Sequence, residues 1–235
     1  YTLLLNTPPV AINMSLYKNL GFDTTRDLAA VSVFAASPNV LVVHPSVPAK
    51  NVKELITLAR AKPGALNFSS GSNGTTQHLS GELFKLRTQT RMTHVPYRGT
   101  TQSLTALIGG EVELNIANVP SVLEYVRAGR LRPLGTTTAK RTALMPQVPT
   151  LRESGVDMIV TVTYSLHAPG ATPRDIINRL ADAVIRATRA PDTRKRLLEL
   201  GAEPVGYTAE EAAKWLREEV ALWAAVVKAA GAAAD

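Results

Sequence analysis

A chain of 235 residues, 45% apolar and 19% charged, is long enough for one large or two small α/β lobes and too apolar for a disordered chain. Its net charge of +7 comes from 26 lysines and arginines spread along its whole length, which excludes a concentrated nucleic-acid face and leaves a solvated basic surface that steers anions. It has no cysteine, which excludes thiol catalysis, disulfides and cysteine-zinc sites, and no apolar run approaches the ~20 residues that span a bilayer.

The chain opens inside an apolar run, Tyr1 to Leu5, with no signal peptide and no polar lead-in. Such a start reads as a cut through a fold, with the natural N-terminus and any export signal missing. Strands are predicted at Thr2–Leu5, Asn39–Val43, Leu66–Phe68, Met92–Val95, Glu113–Ala117 and Leu131–Leu134, and another near Ile159–Leu166. Several are continuously apolar, as strands buried on both faces of a mainly parallel sheet are.

Helices fall between them with readable ends. Asn51 and Glu54 form a capping box ahead of Leu55, Ile56, Leu58 and Ala59, and Pro63-Gly64 ends that helix. Thr172, Pro173 and Asp175 read as an N-cap, a first-turn proline and an acidic third position before Ile176, Ile177, Leu180, Val184 and Ile185. Pro191 opens a short helix that ends at Gly201. Thr208 and Glu211 form a second capping box, and Trp215, Leu216, Val220, Trp223 and Val227 of the last helix read as core. The tail from Ala229 to Asp235 is expected to fray. Alternating strands and helices imply an α/β fold. The densest basic group, Arg127, Arg130, Arg132, Lys140 and Arg141, has Tyr125 beside it but no aromatic series for stacking bases, so no nucleic-acid partner is expected.

Ligands of open parallel sheets bind beyond the carboxyl ends of the strands. Here the strands run into small polar segments: Asn6-Thr7, Ser69 to Thr76, Tyr97 to Thr100, Asn118, and Gly135 to Thr138. Parallel strands would bring these to one rim. Ser69-Ser70-Gly71-Ser72-Asn73-Gly74-Thr75-Thr76 precedes a helical stretch, Thr76 to Leu86, and a helix start of this kind suits a carboxylate or phosphate. The plain alternative is a glycine-containing turn with Thr75 or Thr76 as an ordinary N-cap. No Gly-Lys-Ser/Thr follows, and no Gly-x-Ser-x-Gly elbow is present. His44, His78, His94 and His167 lack metal-ligand spacing, so neither a metal nor a cofactor is expected. His78 follows the glycine segment and is the one histidine placed to line a cleft. No catalytic constellation emerges, and the chain is read as not an enzyme.

At these residues the sequence resembles the Bug-type receptors of tripartite tricarboxylate transporters. The likeness is carried by Tyr1 to Leu5, Ser37 to Val43, Asn67 to Leu79, His94-Val95-Pro96-Tyr97-Arg98-Gly99, Ala139-Lys140-Arg141, Thr172-Pro173 and Gly201-Ala202-Glu203-Pro204. The resemblance implies a periplasmic, two-lobed type II periplasmic binding protein (a Venus flytrap) with mainly parallel sheets flanked by helices. It implies a small organic acid held through its carboxylate between the lobes, and the membrane permease subunits of the transporter as partners of a monomer. Residues 1–37 and 160–235 would form lobe one, and residues 38–159 lobe two. Asn6 and Thr7 would face the ligand from lobe one, Ser70, Gly71, Ser72, Asn73, Gly74 and Thr75 would hold its carboxylate, and Asn118 and Tyr164 would line the remainder.

The family carries a stretch ahead of the first strand, with a Pro- and Gly-rich loop that completes the carboxylate site. Its absence here marks either an incomplete sequence or a relative with half a site. The family often has aspartate where Ala117 stands, so a plain or aromatic carboxylate is expected over an amino acid. A sensory module feeding a signalling partner, and a hydrolase using Ser70 or Ser72, are the alternatives.

Overall fold

Continuous apolar runs between polar turns become strands here, and striped segments become the helices that cover them. The computed structural model describes residues 2–232. In chain order the elements begin with β1 (Leu4–Asn6), α1 (Pro9–Leu16), α2 (Thr24–Asp27), β2 (Leu28–Val43), α3 (Val52–Ala61), β3 (Asn67–Ser70) and α4 (Thr76–Thr88). They continue with β4 (Thr93–Pro96), α5 (Thr100–Gly109), β5 (Leu114–Asn118), α6 (Val119–Arg127) and β6 (Arg132–Thr136). β7 (Thr161–Pro169), α7 (Arg174–Arg189), α8 (Pro191–Glu199), β8 (Glu203–Pro204) and α9 (Ala209–Ala230) complete the chain. It divides into two compact units, residues 1–37 with 162–235 and residues 38–161.

In the first unit β1 pairs antiparallel with β7, Asn6 opposite Ser165, and β8 pairs with β2 at Ala35 and Ala36. The apolar face of α7, Ile177 and Ala181, packs with Val31, Ala168 and Ala209. α9 lies against α1. Its start is fixed by the expected box, in which Thr208 Oγ1 accepts the Glu211 amide and the Glu211 carboxylate accepts that of Thr208. Leu216, Trp223 and Val227 of α9 are buried.

Three expectations change in this unit. The N-cap of α7 is Pro173, not Thr172, and no side chain caps it, because the proline turns the chain one residue later than the motif suggests. Leu3, Leu4 and Leu5, read as part of a strand covered on both faces, are 43%, 42% and 62% exposed: β1 ends the strand order and has only β7 beside it. α9 runs through Ala230, so Ala229 and Ala230 of the expected tail are helical; residues 1 and 233–235 lie outside the described residues.

In the second unit β3 is parallel to both β4 and β5, while β2 pairs antiparallel with β5 and β6. The sheet is therefore mixed, with its parallel order confined to β5-β3-β4. Burial on both faces, not strand direction, erases the polar alternation of Val40–Val43, so an antiparallel strand gave the same signal. Its core is Val40, Val42, Leu104, Leu107, Ala117, Val119, Val122 and Leu131, with Met145 and Val148. Asn51 caps α3 as expected, its Oδ1 accepting the Glu54 amide at 2.9 Å.

Candidate functional site

Parallel pairing puts the ends of β3, β4 and β5 on one edge of the second unit, with Ser70 opposite Pro96. β6 runs the same way as β5, since both oppose β2, so Thr136 closes the same edge. The small polar segments after these four strands thus share a rim.

The segment after β3 has little freedom. A β-carbon on Gly71 would stand 2.9 Å from the Thr100 nitrogen, and Gly71 O accepts the Gly99 amide at 2.7 Å, so only glycine lets the exits of β3 and β4 cross here. Gly74 has φ +74°, the left-handed region that glycine enters freely. Thr75 is the N-cap of α4: its Oγ1 accepts the His78 amide and donates to Ser72 O at 2.8 Å.

Following each amide shows which ones can meet a ligand. Gly71 N–H donates to Gln77 Oε1 at 2.8 Å, and Gly74 N–H donates to His78 Nδ1 at 3.0 Å. Those two glycines shape the loop but spend their own donors inside the protein. The N–H groups of Ser72, Asn73, Thr76 and Gln77 meet no acceptor among the described residues. Ser72 and Asn73 are exposed and Thr76 is half-buried. Unpaired donors at the start of a 13-residue helix, carrying its positive dipole end, suit an anion.

Behind the loop lies a ring stack. His78 and His94 have centroids 3.9 Å apart and planes 13° apart, and Phe68 stacks on His94 at 4.9 Å. Burial holds both histidines below their ordinary value, His94 at about 3 with help from His78 and Lys85. Ser70 is fully buried; its Oγ lies 2.7 Å from His94 Nε2 and 2.9 Å from Ser72 O. The Ser70 hydroxyl is thus engaged by His94 and Ser72 within the protein. Ser72 Oγ, at the surface, bonds Asn73 O at 3.3 Å with no base beside it.

Asn118 ends β5 opposite Asn39 and donates to Pro38 O at 3.4 Å. Ala117 packs in the apolar core of the unit, with no exposure, and not on the rim. Asn6, Thr7 and Tyr164 belong to the first unit. There Asn6 Oδ1 accepts the Thr7 amide at 2.8 Å, and the Tyr164 ring lies 6.3 Å from that of Phe34. Sequence reasoning did not find Gln77 or the pairing of His78 with His94, since both depend on a loop path and a strand register that no spacing rule contains. Among the described residues no group of three or more histidines and carboxylates could hold a metal, and no helix is long and apolar enough to cross a membrane.

Residues 1–232 match the family described as tripartite tricarboxylate transporter family receptor. Protein BugT of Bordetella pertussis is 33% identical over 235 residues, 99% of this chain and 72% of that protein. The solved structure of R. palustris Rpa4515 with adipate superposes with a TM-score of 0.84 at 36% identity, covering 99% of this chain and 79% of that one. MatC from Rhodopseudomonas palustris with bound malate gives a TM-score of 0.75 at 26% identity, over 96% and 79%.

Proposed function

The chain belongs to the receptors of the tripartite tricarboxylate transporter family, and from that membership we propose that it is a periplasmic solute-binding protein that captures a small carboxylate-bearing organic acid. The observation that carries this reading is the set of unpaired amides at Ser72, Asn73, Thr76 and Gln77 where β3 passes into α4. They offer a carboxylate several N–H donors and a helix dipole at once. Ser70, Gly71, Gly74 and Thr75 hold the loop in that shape, and Asn118 adds a polar group on the same edge. Asn6, Thr7 and Tyr164 are assigned to capture from the family resemblance alone.

Adipate and malate, seen with two structural neighbours, are both dicarboxylates. Their chemistry fits the donors here. The protein acts as a monomer that presents its solute to the membrane permease subunits, without a cofactor and without chemistry on the solute.

Isothermal titration against a panel of mono-, di- and tricarboxylates, adipate and malate included, tests the reading. Thr76→Pro sharpens it. Proline is well tolerated at the first helical position, and Thr75, at φ −70° and ψ 159°, already has the backbone that precedes a proline. The change deletes one donor, and affinity should fall about ten- to a hundred-fold, the loss expected for a hydrogen bond to a charged group. If no carboxylate in the panel bound, the reading would be wrong.

A further inference from the structure

The ring pair behind the loop has consequences for how the loop is held. Gly74 N–H donates to His78 Nδ1, so Nδ1 carries a lone pair and the ring's own proton sits on Nε2, 4.0 Å from Glu82 Oε1. A protonated His78 would turn an N–H toward the Gly74 N–H and the bond would be lost. His94, stacked face to face on His78, holds Ser70 at the root of the loop. The two rings thus grip the segment Ser70–Gly74 from both ends.

We propose that His78 and His94, as a neutral stacked pair, are positioning residues for the solute-facing loop, and that protonating His78 releases it. This rests on the reading of that loop as the carboxylate site. The charged groups that act on the pair are Glu82 and Lys85, both from α4 and bonded to each other at 2.7 Å, while β3 contributes the Phe68 ring and the Ser70 hydroxyl. Glu82 favours a cation at His78; Lys85 and burial oppose one at either ring. His78, with the carboxylate beside it, is the first of the two to take a proton on acidification. A second proton on His94 would then face a cation 3.9 Å away.

The test compares the native protein with His78→Asn, whose Oδ1 takes the place of Nδ1 and accepts the Gly74 amide without titrating. Adipate affinity is measured by calorimetry between pH 8 and 5. The carboxyls of adipate titrate alike against both proteins, so any difference belongs to the ring. The native protein should lose at least threefold more affinity than the variant over that range; superimposed profiles would overturn the proposal. A second readout needs no solute: hydrogen exchange at the Gly74 amide, corrected for intrinsic rate. Protection should fall on acidification in the native protein and persist in His78→Asn. Equal behaviour would overturn the proposal even if adipate bound neither protein, an outcome that would count against adipate as solute and leave the exchange result to decide the role of the rings.

Discussion

Gln77 Oε1 accepts the Gly71 amide at 2.8 Å, tying the first turn of α4 back to the end of β3. One side chain thus closes the turn between Gly71 and Gln77, in which the Ser72, Asn73 and Thr76 amides meet no acceptor among the described residues, and it does so as a neutral group beside the proposed carboxylate site.

Gln77→Glu keeps an acceptor oxygen for Gly71 but brings a carboxylate to the donors of Ser72, Asn73 and Thr76. Thermal stability should hold while affinity for dicarboxylates falls tenfold or more, through like charge at short range. Gln77→Ala should instead free the Gly71 amide and loosen the loop, lowering affinity and stability together. Calorimetry beside thermal melts separates the two.

Gly81 lies in the interior of α4, where alanine would ordinarily strengthen a helix by up to about 1 kcal/mol. Here the Phe68 ring occupies the place of a β-carbon, and Phe68 is backed by the rings of His94 and His78. Gly81→Ala should therefore destabilise, by about 1–3 kcal/mol as overpacked cores do, with urea unfolding as the measure. An unchanged midpoint would mean that the ring stack yields without cost.

Much of the fold was legible because burial and caps write themselves into local pattern. The capping box at Thr208 appears as read, while at Asn51 the side-chain cap forms but the Glu54 carboxylate accepts from the Lys50 amide and Asn51 Nδ2 instead of the Asn51 amide. The strand ends before Ser69 and Asn118 lie within three residues of the prediction. The first part of β2 was not legible. Residues 28–38 mix alanine, serine and a proline, and their serines are satisfied by distant carbonyls: Ser32 Oγ by Tyr207 O and Ser37 Oγ by Gly201 O. The glycine segment announced a helix start open to an anion, but which amides stay open depends on Gln77 and His78 folding back, and that is decided in three dimensions. His94 reaches Ser70 only through the parallel pairing of β3 with β4.

In the first unit His167 is fully buried, with Nε2 2.9 Å from Ser165 Oγ and Nδ1 without a partner, and burial lowers its pKa to about 4. The unfolded chain takes a proton near 6.5 that the folded one refuses. Its contribution to stability is therefore complete above pH 6.5, wanes as pH falls, and is gone by about 4, with a slope of up to about 1.4 kcal/mol per pH unit. His167→Leu should flatten the pH dependence of urea unfolding between pH 7 and 5.5, above the range where exposed carboxylates titrate. An unaltered slope would assign the acid sensitivity elsewhere.

Trp223, also in the first unit and buried, donates its Nε1–H to Glu219 Oε2 at 2.7 Å. Burial raises the Glu219 pKa, the indole donor pulls it down, and Glu218 raises it slightly. Trp223→Phe keeps most of the apolar area but removes the indole hydrogen bond that favours the charged carboxylate, so the pKa should climb further. A group whose folded pKa is raised binds its proton more tightly in the native state, so the cost grows as pH rises through that value. Trp223→Phe should then lose more stability at pH 8 than at pH 5, about 1–3 kcal/mol for a buried charge stripped of its hydrogen bond. Adding Glu219→Gln removes the charge and should recover most of the difference at pH 8 and little at pH 5. A double-mutant cycle with the same coupling at both values would mean that the indole acts by packing alone.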